Sequence, residues 1–372
     1  MALVQGNNLN NVLFGTNGID QIFGLGGNDT LSGLAGNDFM NGGAGIDIMN
    51  GGGGNDRMLG GGGNDVMRGN AGNDRMLGQG GRDNMFGQGG NDNMNGGGGN
   101  DTMNGAAGND IMTAATGNDT MNGGGGNDTL IGVAGANTML GGGGNDTFRP
   151  GVGADTMNGG SGIDTVNYTS AGSGVNLTLD VGVGTGGAAG DTAVGIENII
   201  GSTFGDGLAG NTGANTMSGG AGEDLLFGDE GNDILNGGAQ DDSLKGGGGV
   251  DTQTGGGGSD TFAYLDYVMD VDADSGVGEG NRDVVTDFTQ LVDLIGLSDI
   301  DSNLGVALNQ AFDFIGNAAF DGLGNGQVRF EIDAANNRTI IQIDRQNDGD
   351  QLADFEIELT GQHLLTAADF VL

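Results

Sequence analysis

The chain has 372 residues, 88 of them Gly, with one Pro and no Cys, and its 50 acidic against 10 basic residues leave a formal charge of −40. Disulfide bracing is therefore excluded, and so is a collagen-like triple helix. A polyanion of this density is expected to repel nucleic acid and anionic lipid surfaces and to attract cations. Residues 1–10 carry neither a basic segment nor an apolar one, which predicts no cleaved signal peptide. No apolar run approaches the length of about 18 residues that predicts a membrane-spanning helix.

From residue 15 to residue 167 one nine-residue phrase repeats 17 times without insertion or deletion. It reads G-G-x-G-N-D-x-Met-x, as in Gly51-Gly52-Gly53-Gly54-Asn55-Asp56-Arg57-Met58-Leu59. The sixth position is acidic at Asp20, Asp29, Asp38, Asp47, Asp56, Asp65, Asp74, Asp83, Asp92, Asp101, Asp110, Asp119, Asp128, Asp146, Asp155 and Asp164. Asn137 breaks the series, and a degenerate copy, residues 6–14, precedes it with Asn11 in the acidic slot. Glycines in register predict a repeated backbone turn rather than disorder.

Position 8 is apolar from Ile22 to Val166 and is Met in twelve copies. Positions 7 and 9 are mostly polar, so three residues per copy predict a strand buried on one face. The six residues before them predict a turn, with glycine supplying positive φ. Such short strands cannot stand alone, so copies must stack. Two copies per coil make two facing parallel sheets. One interior ladder would hold Met40, Met58, Met76, Met94 and Met112; the other would hold Met49, Met67, Met85, Met103 and Met121.

The same stacking gathers the sixth-position acids into two columns. At a coil spacing of about 4.8 Å and an effective dielectric near 20, neighbouring charges repel by roughly 3.5 kcal/mol. Summed along a column, this exceeds the roughly 5–15 kcal/mol that stabilises an ordinary domain. The coil therefore predicts cations between carboxylates. Hard oxygen donors in a flexible cage suit Ca²⁺, while the lack of thiolate and the near lack of imidazole disfavour zinc and copper.

Residues 168–200 interrupt the phrase, with alternation at 175–181 and 196–200; a cap or a bulged extra coil is expected there. The register resumes at residue 201 for seven copies, with Asp206, Asp224, Asp233, Asp242, Asp251 and Asp260, Asn215 in the remaining slot, and Gln253 where an apolar residue is usual. Beyond residue 264, segments 283–288, 328–332, 339–343 and 355–359 read as strands of a small β core closing the second repeat block. The domains expected are 1–167, 168–200, 201–263 and 264–372.

The phrase is similar to the nonapeptide of RTX proteins, a repeat generally described as a calcium-binding parallel β-helix. That resemblance implies an all-β parallel β-roll, a right-handed solenoid whose half-turns bind Ca²⁺ through the repeat Asp and backbone carbonyls. Counting gaps between acids gives about 13 to 15 ions in the first block and about five in the second, on the order of 18–20 in all. Residues 282–288, 310–316, 353–359 and 365–372 resemble the region that follows the repeats in serralysin-type proteins. This likeness implies an uncleaved type I secretion signal and an exporter as partner.

The resemblance stops short of an activity. There is no H-E-x-x-H helix, no G-x-S-x-G elbow, no Cys, and the one histidine is His363. Alginate epimerases carry similar repeats, but no separate catalytic domain is expected to precede these. The sequence is expected to encode no enzyme. The inward methionines could suit Cu(I), yet core packing explains them. Asp270, Asp272 and Asp274 open like an EF-hand but lack its glycine and glutamate in place, and Asp348, Asp350 and Asp354 are open in the same way. Rows of Asn at position 5 raise ice binding, disfavoured by the scarcity of Thr at position 3. Outward columns such as Thr102, Thr120, Thr138 and Thr156, with Leu59, Leu77 and Phe86, read either as a solvated face or as a lateral contact.

The expectation is a secreted protein, extracellular or on the cell surface, that folds on Ca²⁺ and serves as a matrix, surface-layer or adhesive component able to self-associate. An accessory module of an extracellular enzyme and a membrane-active effector are the alternatives.

Overall fold

The computed structural model describes residues 1–265, 278, 280–299, 312–320, 326–344 and 352–372. It divides into two compact units, one of Met1–Ala171 with Leu179–Ile196 and one of Gly172–Thr178 with Glu197–Leu372. The architecture is an all-β parallel solenoid, and among the described residues the one helical element is a 3₁₀ turn at Ala367–Asp369.

In the first unit each strand pairs in parallel with the strand two copies away. Arg57–Gly62 lies between Phe39–Ala44 and Arg75–Gly80. This register sets Met58 against Met40 and Met76, and Met76 leads on through Met94 to Met112. The intervening copies form the second sheet, where Met49, Met67, Met85, Met103 and Met121 align. All ten methionines are fully buried, as the inward ladders require. Burying one such side chain contributes about 1.5–3 kcal/mol, and the core is only two side chains thick.

The strands are longer than the sequence pattern suggests. Most span six residues, positions 7, 8, 9, 1, 2 and 3, as in Val66–Ala71, so half of the expected turn is strand. The reason is a single left-handed residue at position 2, such as Gly61 at φ +114°, which bends the chain while the ladder continues through it. Leu34, Gln79 and Val133 adopt the same conformation without being glycine. Each such residue costs about 1–2 kcal/mol, which the paired backbone on either side offsets.

Residues 179–196 carry the first unit onward after the phrase lapses. Thr192–Val194 pairs with Thr156–Ser161, placing Ala193 on Met157. In the second unit Val175–Thr178 pairs with Gly207–Ala209. The segment 168–200 is thus shared between the units, each part paired in parallel with its own solenoid.

The second unit builds two parallel ladders of the same kind. Gln253 occupies a core position between Leu235 and Val285 and is fully buried. Among the described residues, neither of its amide atoms has a hydrogen-bond partner. Asp283–Val285 continues one ladder and pairs with Phe355–Thr360. From there Arg338–Asp344 and Gln327–Asp333 follow as antiparallel neighbours. These are the four C-terminal strands expected from alternation. Arg282 reaches Glu356 at 2.8 Å and Glu358 at 3.5 Å, and Arg338 reaches Glu358 at 2.9 Å, so this sheet is tied by ion pairs. Asp270, Asp272, Asp274, Asp348 and Asp350 lie outside the described residues. Asp354 is described, and its N–H donates to the Ile343 carbonyl.

Candidate metal centre

Every sixth-position acid of both blocks is buried, from Asp20 at 0% exposure to Asp206 at 4%. Each column is a chain of hydrogen bonds. The N–H of Asp38 donates to Oδ1 of Asp56 at 2.8 Å, and the N–H of Asp56 donates to Oδ1 of Asp74 at 2.7 Å. The step is 18 residues, one coil, throughout the regular repeats. Asn137 fits without a break: its Oδ1 accepts from Asp119 and its N–H donates to Asp155.

In most turns the ladder uses one oxygen of the carboxylate and leaves the other. Among the described residues, Oδ2 accepts no hydrogen bond in Asp29, Asp38, Asp47, Asp56, Asp65, Asp74, Asp83, Asp92, Asp101, Asp110, Asp119, Asp128, Asp146, Asp155, Asp224, Asp233 and Asp242. An unpaired buried carboxylate oxygen costs several kcal/mol, and here the same orphan recurs in coil after coil. Burial is the largest cause that raises Asp56, Asp65, Asp92 and Asp128, and neighbouring carboxylates add to it. These four are pushed up to about 7.

Glycine at position 1 defines what stands beside Oδ2. A Cβ added to Gly51 would meet Asp56 Oδ2 at 2.2 Å and the Gly69 carbonyl at 2.9 Å. The same two kinds of oxygen crowd Gly33, Gly60 and Gly78. A carboxylate oxygen and a carbonyl from the next coil therefore converge at these half-turns. No three acidic, His or Cys side chains gather at one point among the described residues. The donors are instead one carboxylate per turn plus backbone carbonyls, a hard all-oxygen set that fits Ca²⁺ and would not hold a soft metal.

Three further acids extend the columns across irregular spacings that the nine-residue count misses. Asp191 Oδ1 accepts from Asp155, Asp283 from Asp251 and Asp293 from Asp260, over 36, 32 and 33 residues. All three are buried. Their signal was an acid followed two residues later by an apolar residue: Asp191-Thr192-Ala193, Asp283-Val284-Val285 and Asp293-Leu294-Ile295. The rows of Asn at position 5 also acquire a role. Asn37 Oδ1 accepts from the N–H of Asn55 at 2.9 Å, and Asn55 Oδ1 from that of Asn73 at 2.8 Å, closing the outer rim of each turn.

The model of the RTX calcium-binding nonapeptide repeat (4 copies) matches the chain ten times, over residues 5–40, 32–67, 41–76, 68–103, 77–112, 95–130, 113–148, 131–166, 200–235 and 227–262. These matches take in well over half of its length. The chain belongs to the RTX calcium-binding nonapeptide-repeat family.

Repeats of this RTX family bind Ca²⁺ in many copies, and proteins that carry them are in general extracellular. The matched stretches coincide with the two regions of regular columns. Among solved structures, the solution structure of the AlgE6R3 subunit from the Azotobacter vinelandii mannuronan C5-epimerase is 27% identical, covering 45% of this chain and 78% of that one at a TM-score of 0.23. The AlgE6R2 subunit of the same enzyme is 24% identical, covering 47% and 92% at a TM-score of 0.24. No curated protein matches the chain. No helix among the described residues is long and apolar enough to cross a membrane.

Proposed function

We propose that this RTX chain is a secreted, non-enzymatic protein whose repeat aspartates, Asp29 to Asp164 and Asp224 to Asp260, line sites for Ca²⁺ and make its folding conditional on that ion. The observation that carries the reading is the repeated buried Oδ2 with no donor, facing a carbonyl of the next coil. Ca²⁺ supplies the positive charge that buried carboxylates need. The chain supplies the rest: the N–H of each Asp fixes the rotamer of the next, and glycine at position 1 keeps the space open.

Without the ion, a charge of −40 and 88 glycines favour the unfolded chain, the state suited to threading a type I exporter. Extracellular Ca²⁺ modules work at about 10⁻⁴–10⁻³ M, which places the switch between cytosol and exterior. In this reading residues 264–372 close the second block and carry the secretion signal. His363 serves packing rather than chemistry: its ring stands edge-on to Phe288 at 5.6 Å, and its Nε2 lies 2.9 Å from the Thr360 carbonyl. The role that remains is structural, in a matrix, a surface layer or an adhesive assembly.

Circular dichroism recorded with light scattering during a Ca²⁺ titration tests both parts. A coil signal in chelator that turns to β as Ca²⁺ enters the millimolar range, with scattering rising afterwards, is the expected result. An unchanged β signal in chelator would remove the switch, and folding without any rise in scattering would remove the assembly.

A further inference from the structure

Among the described turns of the nine-residue repeats, four depart from the open design, and they are the first two of each repeat block. They are residues 6–11, 15–20, 201–206 and 210–215, with Asn7, Thr16, Ser202 and Asn211 at position 2. None of the four residues takes the positive φ found at position 2 elsewhere. Each turns its own side-chain oxygen onto the N–H of position 4 instead. Leu9 donates to Asn7 Oδ1 at 2.8 Å, Gly18 to Thr16 Oγ at 3.2 Å, Phe204 to Ser202 Oγ at 3.0 Å and Gly213 to Asn211 Oδ1 at 2.9 Å.

That local fold aims the N–H of position 2 at the side chain of position 6. Asn7 donates to Asn11 Oδ1 at 2.7 Å and Asn211 to Asn215 Oδ1 at 2.8 Å. The N–H of Thr16 donates to Asp20 Oδ2, and Thr16 Oγ lies 2.8 Å from the same oxygen. The N–H of Ser202 donates to Asp206 Oδ2, with Ser202 Oγ 2.8 Å from Oδ1. The oxygen left over in the other turns is thus already served by protein donors. Asp20 responds accordingly: the N–H groups of Ala2 and Thr16 hold its carboxyl below the usual carboxylate range, opposite to Asp56.

We propose that the opening coil of each block is a metal-independent cap, in which a backbone N–H and a hydroxyl stand where the open turns take Ca²⁺, so that Asp20 and Asp206 cap their columns rather than ligate. Two of the four turns go further and replace the acid by Asn. The arrangement supplies donors to the acid, and in the two Asn turns also removes its charge, at the place where a column has no earlier coil to share an ion with. The remaining turns then have a formed template to stack on before any ion is bound. This inference rests on the open turns being the Ca²⁺ sites.

Native mass spectrometry of the full chain in Ca²⁺, counting bound ions, separates the two ideas. Asp56→Asn, in an open turn, is expected to lower the count by one; if it does not, the reading of the open turns fails. Asp20→Asn and Asp206→Asn are expected to leave the count unchanged, and loss of an ion in either overturns the cap. Thr16→Gly and Ser202→Gly free position 2 for the left-handed conformation and are each expected to add one ion. An unaltered count in those two overturns the cap as well. Should a glycine variant fail to fold, the Asn pair still decides, because its amide oxygen keeps the acceptor that the ladder needs.

Discussion

Oδ1 of Asp74 accepts the backbone N–H of Asp56 across one full coil at 2.7 Å, while Oδ2 of the same carboxylate accepts nothing. One oxygen therefore serves the fold and the other is left for a ligand. Removing charge while keeping the acceptor, or the reverse, should have distinct consequences.

The acids of the metal-free coil should make it sensitive to pH in a defined sense. Burial lifts Asp56, Asp65, Asp92, Asp128 and Asp242 to about 7, against 3.8 for an unperturbed aspartate. The folded coil binds these protons more tightly than the unfolded chain does. Their contribution is fully present below about pH 3.8 and is lost as pH rises through 6 to 7. In chelator, the β signal should therefore grow as pH is lowered from 8 towards 4. With Ca²⁺ present, the midpoint concentration for folding should rise below pH 7, because protons compete for the same oxygens. A chelated protein that is equally coiled at pH 8 and pH 4 would contradict this.

Glycines one or two places apart should differ in what they tolerate. At Gly51 an added Cβ would meet Asp56 Oδ2 at 2.2 Å, whereas Gly53 has nothing within 4 Å and no positive φ. Gly51→Ala should raise the Ca²⁺ midpoint and cost about 1–3 kcal/mol in urea melts at saturating Ca²⁺. Gly53→Ala should leave binding alone and stabilise by about 0.4–1 kcal/mol through the unfolded chain. Equal effects of the two would show that the crowding at position 1 is unimportant.

Gln253 is a polar side chain in the inner ladder, fully buried and, among the described residues, without a hydrogen-bond partner for its amide. Gln253→Met should extend the apolar column and stabilise the second unit by about 1–3 kcal/mol. Thermal melts in Ca²⁺ report this as a higher transition. For comparison, Met76→Ala in the first unit should cost about 2–5 kcal/mol, since a two-residue core cannot close the cavity.

Tyr168 donates its hydroxyl to Asp191 Oδ2 at 2.9 Å, at the buried end of one column. Tyr168→Phe leaves that oxygen without its donor and should destabilise the first unit by about 1–3 kcal/mol. Hydrogen exchange would locate the loss at residues 156–161 and 192–194, the strands that pair there. A uniform loss over the chain would argue against a local role.

Arg282 is only 12% exposed, hydrogen-bonds Glu356 and forms a longer ion pair with Glu358 at 3.5 Å. Arg282→Ala leaves two carboxylates short of a partner and should cost about 3 kcal/mol or more. Urea melts should show the loss in the second unit alone. Arg282→Lys should recover only part of it, because an ammonium cannot reproduce the planar fork.

Much of the fold was legible because the period left one choice. An 18-residue coil follows from nine residues with one inward side chain, and the Met ladders and both acid columns follow from the coil. Their burial, however, depends on a hydrogen bond between a side chain and a backbone N–H, which no residue pattern announces. Strand length was misjudged for a related reason. Glycine at position 2 reads as a break, yet Leu34 and Gln79 show that a left-handed residue there bends a strand without ending it. Asp191, Asp283 and Asp293 were missed because counting by nine stops at the first irregular loop, although the columns do not.

Three basic residues on the roll are placed by the same coil-to-coil register. Phe39 faces Arg57, Phe86 faces Arg68 and Phe227 faces Lys245, with each cation 4.3–5.4 Å from its ring. Because like positions always face like positions one coil on, excising 18 residues from the middle of a block would seat every neighbour on an equivalent one. Excising nine would exchange the two sides of all that follows, handing the outer decoration of one sheet to the other. The length of such a chain is therefore free to drift only in even numbers of its smallest unit.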